Sequence, residues 1–530
     1  MGASLLAALV AAVLLAAIAR RFDVSAPLAL VVAGLAGSAL PGFHNVQLDP
    51  DLVLFVILPP LLWSAGLESS YVALRRNIRP IGLLAVGLPL ATTFVVGIVA
   101  FHTVPELTIA AALTLGAIVA PPDAVSATAV GRRLGLPRRT MTLLGGESLL
   151  NDATALTAYK VALGAAIGTA ATWQHGLSTF ALAAVGGVVV GWAIGMVVHY
   201  IRTRLDDPLV ESGIGLLAPF FIYLIAEEIH GSGVIAVVVA ALLLGQRETQ
   251  ASYATRLQDK AVWKALQLIL ESFAFLLIGL QLPQVVRDLT GIRAVTLAAS
   301  SVAVLATVIG VRMVWVFISA YLPRLLSKNV RSHESAPPVG QVFVVAWAGM
   351  RGVVSLAAAF AVPATTLSGA AFPGRPQLVF LTFVVVVGTL LLHGLTLPWF
   401  IRVLGAQGNE AHADAIATAA AQDKAARAAA DRLDELLAEE SAGSDVPERA
   451  ADVLRAWNTR RRNAAWEQLG RGEEDIGESP TAAFRRLRLE MLAAERATFV
   501  AERDAGHIDD EVLRTVLHGL DLEEATLNRE

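Results

Sequence analysis

Apolar stretches long enough to cross the ~30 Å hydrocarbon core of a bilayer recur through the first four hundred residues, about thirteen times in all. They lie at roughly 4–19, 27–41, 51–68, 80–101, 106–131, 141–168, 178–201, 209–229, 233–246, 264–283, 294–323, 338–362 and 377–402. That pattern predicts an all-α polytopic membrane protein. A mean hydropathy of +0.62 with only 16% charged residues excludes an ordinary soluble enzyme, and the recurrence excludes a single-helix anchor. The opening "MGASLLAALVAAVLL" lacks the basic leader of a secretory signal and runs on into further spans, so it is expected to be a retained first helix.

Charge predicts the orientation. Loops after odd-numbered spans collect Arg75, Arg76 and Arg79, Arg132, Arg133, Arg138 and Arg139, and Arg324, Lys328 and Arg331, whereas those after even-numbered spans carry only Arg287, Arg293 and Arg375. Cytoplasmic loops gather Lys and Arg, so the N-terminus is expected outside and the C-terminus inside. With no cysteine in the chain, disulfides and thiolate metal sites are excluded.

Near residue 405 the composition changes, so the chain is read as a membrane domain, 1–404, and a cytoplasmic helical tail, 405–530. The tail holds 27 acidic and 16 basic residues, and the membrane part 18 acidic and 25 basic. "AIATAAAQDKAARAAADRLDELLAEE" carries its charges as a helix surface does, and "SAGSDVPE" and "GRGEEDIGESPT" read as breaks between helices. An acidic tail beside a basic membrane face suits a regulatory or assembly module.

Ionisable groups at mid-bilayer cost several kcal/mol and mark ion paths, relays or internal ion pairs. The candidates are Asp123, Glu147, Asp152, Lys160, Glu271, Arg312 and Arg351; Glu68, Glu227 and Glu228 lie nearer span ends. In "GGESLLNDATALTAYK", Ser148 and Asp152 are four apart and share a helix face, as do Glu147 and Asn151. Glu147 and Asp152 are about 140° apart around the axis, so they serve different tasks. Asp152 with Ser148 offers hard oxygens to a small cation, while Glu147 looks toward another helix for a cationic partner. Lys160, about 12 Å along the helix from Asp152, is expected to reach the outer interface.

Two spans are interrupted. "TLGAIVAPPDAVSATAVG" places Pro121 and Pro122 in mid-span, where missing N–H groups and ring clashes break a helix. "VVAWAGMRGVVSLAAAF" places Gly349, Arg351 and Gly352 in the middle of another. Unwound backbone survives at membrane depth where it lines a cavity, and paired breaks suit two related halves of a transporter.

With these residues in place, the chain resembles the monovalent cation/proton antiporters, in particular the NhaP-type Na⁺/H⁺ exchangers. "GESLLND" (146–152) is the most specific match, supported by "LPPLLWSAG" (58–66), "APPDAVSA" (120–127), "ESFAFLLIGL" (271–280) and "GMRGVVSLA" (349–357). The resemblance implies a thirteen-helix fold with inverted repeats, two crossed discontinuous helices and a homodimer in the plasma membrane. It implies that Asp152 binds the monovalent cation or the proton, with Asn151 beside it, Ser148 as a hydroxyl ligand and Asp123 at the first break. It further implies a structural ion pair between Glu147 and Arg312, and an Arg351 that neutralises the second break. Ser64, Glu68 and Glu271 are candidate pathway residues.

An Asn–Asp pair is associated in the family with electroneutral exchange, and one carboxylate carrying either a cation or a proton agrees with it. Arg312 does not deprotonate and so cannot trade a proton as a lysine might. Two departures bear on selectivity: Pro122-Asp123-Ala124 replaces the usual Thr-Asp-Pro, and Trp63-Ser64 stands where many relatives have an acid.

The expected activity is therefore exchange of Na⁺ for H⁺ by alternating access, with no enzymatic chemistry, no cofactor and no nucleic-acid partner; the substrates are Na⁺ (or K⁺ or Li⁺) and H⁺, in contact with membrane lipid. K⁺/H⁺ exchange on the same architecture is the alternative. An intramembrane protease is disfavoured, since no Gly-x-Gly-Asp string is present, and a non-transporting sensor is the remaining class. His44, His102, His175 and His230 fall in expected external loops and read as solvated.

Overall fold

The apolar stretches fold as helices. The computed structural model describes residues 2–22, 24–40, 52–168, 173–205, 207–289, 293–328, 336–408, 410–439, 445–467, 480–505, 507–508 and 510–528. His44 and Arg331 lie outside them, and of His175 only the backbone is described.

In chain order the membrane part comprises α1 (Gly2–Arg21), α2 (Ala26–Gly37), α3 (Val53–Glu68), a short α4 (Tyr71–Arg76) and α5 (Ile78–Thr103). Then follow α6 (Ile109–Val119), α7 (Ala124–Arg133), α8 (Arg138–Ile167), α9 (Trp173–Arg202), α10 (Pro208–Glu228) and α11 (Gly233–Gln246). The last are α12 (Tyr253–Arg287), α13 (Ala294–Leu326), α14 (Val339–Trp347), α15 (Val353–Phe360) and α16 (Arg375–Val403). Among the described residues, six continuous helices are each long and apolar enough to cross a membrane, and shorter apolar helices accompany them.

Both expected interruptions are present. The fifth span stops at Val119 and resumes at Ala124, and the twelfth stops at Trp347 and resumes at Val353, so α6/α7 and α14/α15 are two discontinuous spans. The tenth span differs from expectation: it begins at Tyr253, not near 264, because a polar, charged first stretch extends the apolar helix.

Small residues set how closely these helices pack, as is usual where lipid is as apolar as the helix faces. A Cβ on Gly279 of α12 would stand 2.1 Å from the Val31 carbonyl oxygen of α2, and one on Gly34 would stand 2.3 Å from that of Leu276. Gly116 of α6 meets Thr93 of α5 in the same way, and Gly191 of α9 meets Ala236 of α11. Helices α3, α9, α10 and α11 share one apolar cluster around Trp63 and Ile222, while α5, α6, α13, α15 and α16 share another around Leu115 and Val385. The α8 helix contributes to both, Leu149 and Ala153 to the first and Tyr159 to the second.

The chain divides into two compact units, Met1–Gly408 and Asn409–Glu530. The second unit holds α17 (Glu410–Glu439), α18 (Asp445–Glu467), α19 (Pro480–Asp504) and α20 (Asp510–Leu527), packed as two helical pairs. Arg488 of α19 forks onto Glu523 of α20 at 2.6 and 2.9 Å, which holds the Glu523 carboxyl below the usual glutamate range.

Gly279→Val should strain the α2–α12 contact by about 1–3 kcal/mol. Its thermal unfolding midpoint in detergent should drop clearly below that of the parent, and an unchanged midpoint would contradict the close approach.

Candidate ion site at the crossing of two broken helices

A helix that stops inside the bilayer leaves carbonyls without intrahelical donors, and those groups must be satisfied by other means. Two fully buried arginines do this. Arg312 of α13 donates from Nε to the Ala346 carbonyl at 3.1 Å and from Nη2 to that of Val345 at 3.0 Å, covering the end of α14. Arg351 donates from Nε to the Val119 carbonyl at 3.1 Å and from Nη2 to that of Ala120 at 3.5 Å, covering the end of α6. It also donates to the Gly349 carbonyl within its own break.

The arrangement corrects one expectation: Arg351 sits in the second break but serves mainly the first, while Arg312 serves the second. The reason is reach, since the long side chain spans to the neighbouring break where the two chains cross. The crossing itself is tight. The Asp123 amide donates to the Met350 carbonyl at 2.7 Å, and a Cβ on Gly352 would stand 2.8 Å from that of Asp123. Gly349 is required for the same reason, as its Cβ would stand 2.3 Å from Cδ of Arg312.

Glu147 and Arg312 are paired. Nη1 donates to Oε1 in a short contact and Nη2 donates to Oε2 at 3.0 Å, and both side chains are buried. A buried charge survives only if it is paired and hydrogen-bonded, and the fork geometry of guanidinium on carboxylate meets both needs. Arg351 has no such carboxylate among the described residues. Its backbone amide is fixed by Thr389 of α16 at 3.0 Å.

The same helix, α8, carries further polar groups. Asn151 is fully buried, and its Nδ2 donates to the Pro122 carbonyl at 2.9 Å, which ties α8 to the first break. Its Oδ1 is also buried and accepts from no described residue. Asp152 is half-buried and forms no ion pair with any described residue, and it lies near enough to Asp123 for the two charges to interact. Ser148 is half-buried one turn before it.

Of the pathway candidates, Ser64 and Glu68 lie one turn apart on α3, and Glu271 lies on α12. Ser64 is buried and donates back to the Leu61 carbonyl of its own helix at 3.0 Å. Glu68 is exposed and pairs with Arg132 at 3.3 Å. Glu271 of α12 is half-buried, accepts from Gln267 at 2.6 Å, and interacts electrostatically with Asp123. Lys160 does not stand alone: its Nζ meets Glu227 of α10 at 2.6 Å, and the other Glu227 oxygen accepts from the Gly233 amide at the start of α11. His102 and His230 are exposed.

Sequence reasoning overlooked the polar stripe on α16. Thr389 holds Arg351, and His393 is buried with its ring 4.9 Å from that of Trp347, whose Nε1 donates to Thr396 at 2.8 Å. The signal was present, because Thr389, His393 and Thr396 recur at helical spacing inside an otherwise apolar run.

Two interrupted spans crossing in a membrane bundle, with arginine-covered ends and carboxylates beside the breaks, define a secondary transporter of small ions. The chain belongs to the sodium/hydrogen exchanger family, whose transmembrane model matches residues 5–403. Over 99% of its length it is 33% identical to an uncharacterized Na⁺/H⁺ exchanger of Mycobacterium bovis, covering 96% of that protein. It is 34% identical to the Na⁺/H⁺ antiporter ApNhaP of Aphanothece halophytica, over 72% of this chain and 70% of that one. The fold is that of the sodium proton antiporter MjNhaP1 of Methanocaldococcus jannaschii, with a TM-score of 0.59 at 21% identity over 76% of this chain and 98% of that one. It is thus a multi-pass membrane antiporter of Na⁺ and H⁺, from a family of transporters and not of enzymes.

Glu147→Ala strands the Arg312 guanidinium and should cost roughly 3–5 kcal/mol. The expected result is poor assembly or a strongly lowered unfolding midpoint in detergent, and unchanged stability would remove the bracing role.

Proposed function

We propose that exchange runs through one carboxylate, Asp152, which carries either a proton or a partly dehydrated Na⁺ as the site faces each side of the membrane in turn. The observation that carries this reading is the division of labour at Asn151. One end of its amide pins the first helix break, and the other presents a buried oxygen with no donor among the described residues, next to Asp152. A buried oxygen left in that state is costly, and a cation is one way to satisfy it. Ser148, one turn away on the Asp152 face, and Asp123 across the crossing complete the proposed set of hard oxygens.

Competition follows from electrostatics. The empty carboxylate is expensive to move through a low-dielectric barrier, and binding either H⁺ or Na⁺ neutralises it. Glu147 and Arg312 neutralise each other within their fork and take no part. One carboxylate bearing one monovalent charge in each direction supports electroneutral, one-for-one exchange. The family's description supports Na⁺ over K⁺ as the coupling ion.

The finer assignments belong to the same proposal. The concentration of Lys and Arg in loops after odd-numbered spans supports a plasma-membrane protein with the N-terminus outside and the C-terminus in the cytoplasm. The family resemblance supports a homodimer, and the acidic composition of residues 405–530 supports a regulatory tail.

The test is exchange in proteoliposomes, read by a trapped pH dye after pulses of Na⁺, K⁺ or Li⁺, with and without a voltage clamp. Wild-type protein should give Na⁺-driven pH changes indifferent to voltage, and Asp152→Asn should abolish them while leaving expression intact. Robust proton-coupled transport by Asp152→Asn would remove the carrier assignment, and a voltage-dependent wild-type signal would overturn the stoichiometry.

A further inference from the structure

A cavity of about 450 Å³ opens among α3, α7, α9, α10, α11 and the first turns of α12, and neither Asp152 nor Asp123 lines it. Its volume lies within the ~300–1,000 Å³ of small-ligand pockets. Its charges do not balance. Arg202 pairs with Asp259 at 2.6 Å and Arg132 pairs with Glu68 at 3.3 Å, so those four cancel. Arg247, Arg256, Lys260 and Lys264 remain, against Glu211 and Glu248, and none of these six forms an ion pair with a described residue. The excess is two positive charges.

The local contacts show how poorly these cations are served. Half-buried Arg247 donates from Nη1 to the thioether sulfur of Met196 at 3.1 Å, a weak acceptor for a guanidinium. Arg256 donates to the Ala251 carbonyl at 2.6 Å and meets no carboxylate among the described residues. Arg256, Lys260 and Lys264 recur every four residues on α12, so three like charges share one face and repel. This is the charged extension by which α12 outruns its expected start.

A cation vestibule is a poor account of the cavity, even though Ser64 and Glu68 line it, because an excess of positive charge lowers the local cation concentration. Anions are favoured instead. Guanidinium forks match phosphate oxygens, ammonium groups add point charge, and two excess charges suit a phosphate dianion. Basic pockets between transmembrane helices on the cytoplasmic side are also where anionic headgroups bind, and the loop charges place this end in the cytoplasm. We propose that Arg247, Arg256, Lys260 and Lys264 form a binding site for a phosphate-bearing anion, either an anionic phospholipid headgroup or a soluble phosphate. The proposal goes beyond the exchange reading and does not depend on Asp152 being the carrier.

The full chain, purified in detergent, tests it in two arms. In one, native mass spectrometry measures retention of phosphatidylglycerol against phosphatidylcholine; in the other, thermal unfolding is followed with inorganic phosphate or pyrophosphate. Selective retention of phosphatidylglycerol identifies a lipid, whereas stabilisation by the soluble anions identifies a free phosphate. In either case the triple variant Arg247→Gln, Lys260→Gln, Lys264→Gln should weaken binding by about tenfold or more. Arg402→Gln, an exposed basic site outside the cavity, should leave it unchanged. Should the triple variant fail to fold, Arg247→Gln alone is measured, with the same loss expected to a smaller degree. Equal phosphatidylglycerol retention by parent and variants, with no stabilisation by either soluble anion, overturns the proposal.

Discussion

Everything at the centre of this membrane bundle depends on two arginines that cover the carbonyl ends of broken helices. Breaking a helix in lipid exposes carbonyls in a medium that offers no water, and each unsatisfied group costs several kcal/mol. Arg312 covers Val345 and Ala346, and Arg351 covers Val119 and Ala120, so both interruptions are closed by donors that cannot lose their protons. The brace is mutual, because Arg312 is itself balanced by the carboxylate of Glu147. Through Glu147 it ties α13 and α14 to the helix that bears Asp152.

The same helix also carries the other polar groups of the centre. Glu147 is tied to Arg312 and Asn151, one turn on along the same face, to the Pro122 carbonyl, while Asp152 lies about 100° further round the axis and is the carboxylate proposed to serve the ion. Away from the centre, α8 and α7 meet the neighbouring helices through exposed pairs, Lys160 with Glu227 at one end and Arg132 with Glu68 at the other. Pairs of this kind contribute ~0–1 kcal/mol each. The electrostatic hold at these two ends is therefore weak.

Much of this was legible in the residues. The number and placement of spans followed from apolar run length, and both interruptions followed from Pro121, Pro122 and the Gly349–Gly352 stretch. That Glu147 needs a cationic partner followed from the cost of a buried charge, whereas Arg312 as that partner came from the family resemblance. The role of Thr389 was missed because threonine is common in apolar helices and its importance comes only from the amide it meets. The charged first turns of α12 were read as loop, since hydropathy alone cannot separate a polar helical extension from a connection.

The sequence by itself determined that the chain lives in a membrane, where its helices run, where two of them must break, and which few charges have to be neutralised. Those are local demands, set by run length, proline chemistry and the cost of burying charge. Only the tertiary structure decided which arginine serves which break, since Arg351 reaches across to α6 while Arg312 covers the end of α14. It also decided which cations of α9, α12 and the connection before α12 find carboxylates and which are left facing a cavity. Such pairings are set by the distance between elements far apart in the chain, and no spacing within one segment records that distance.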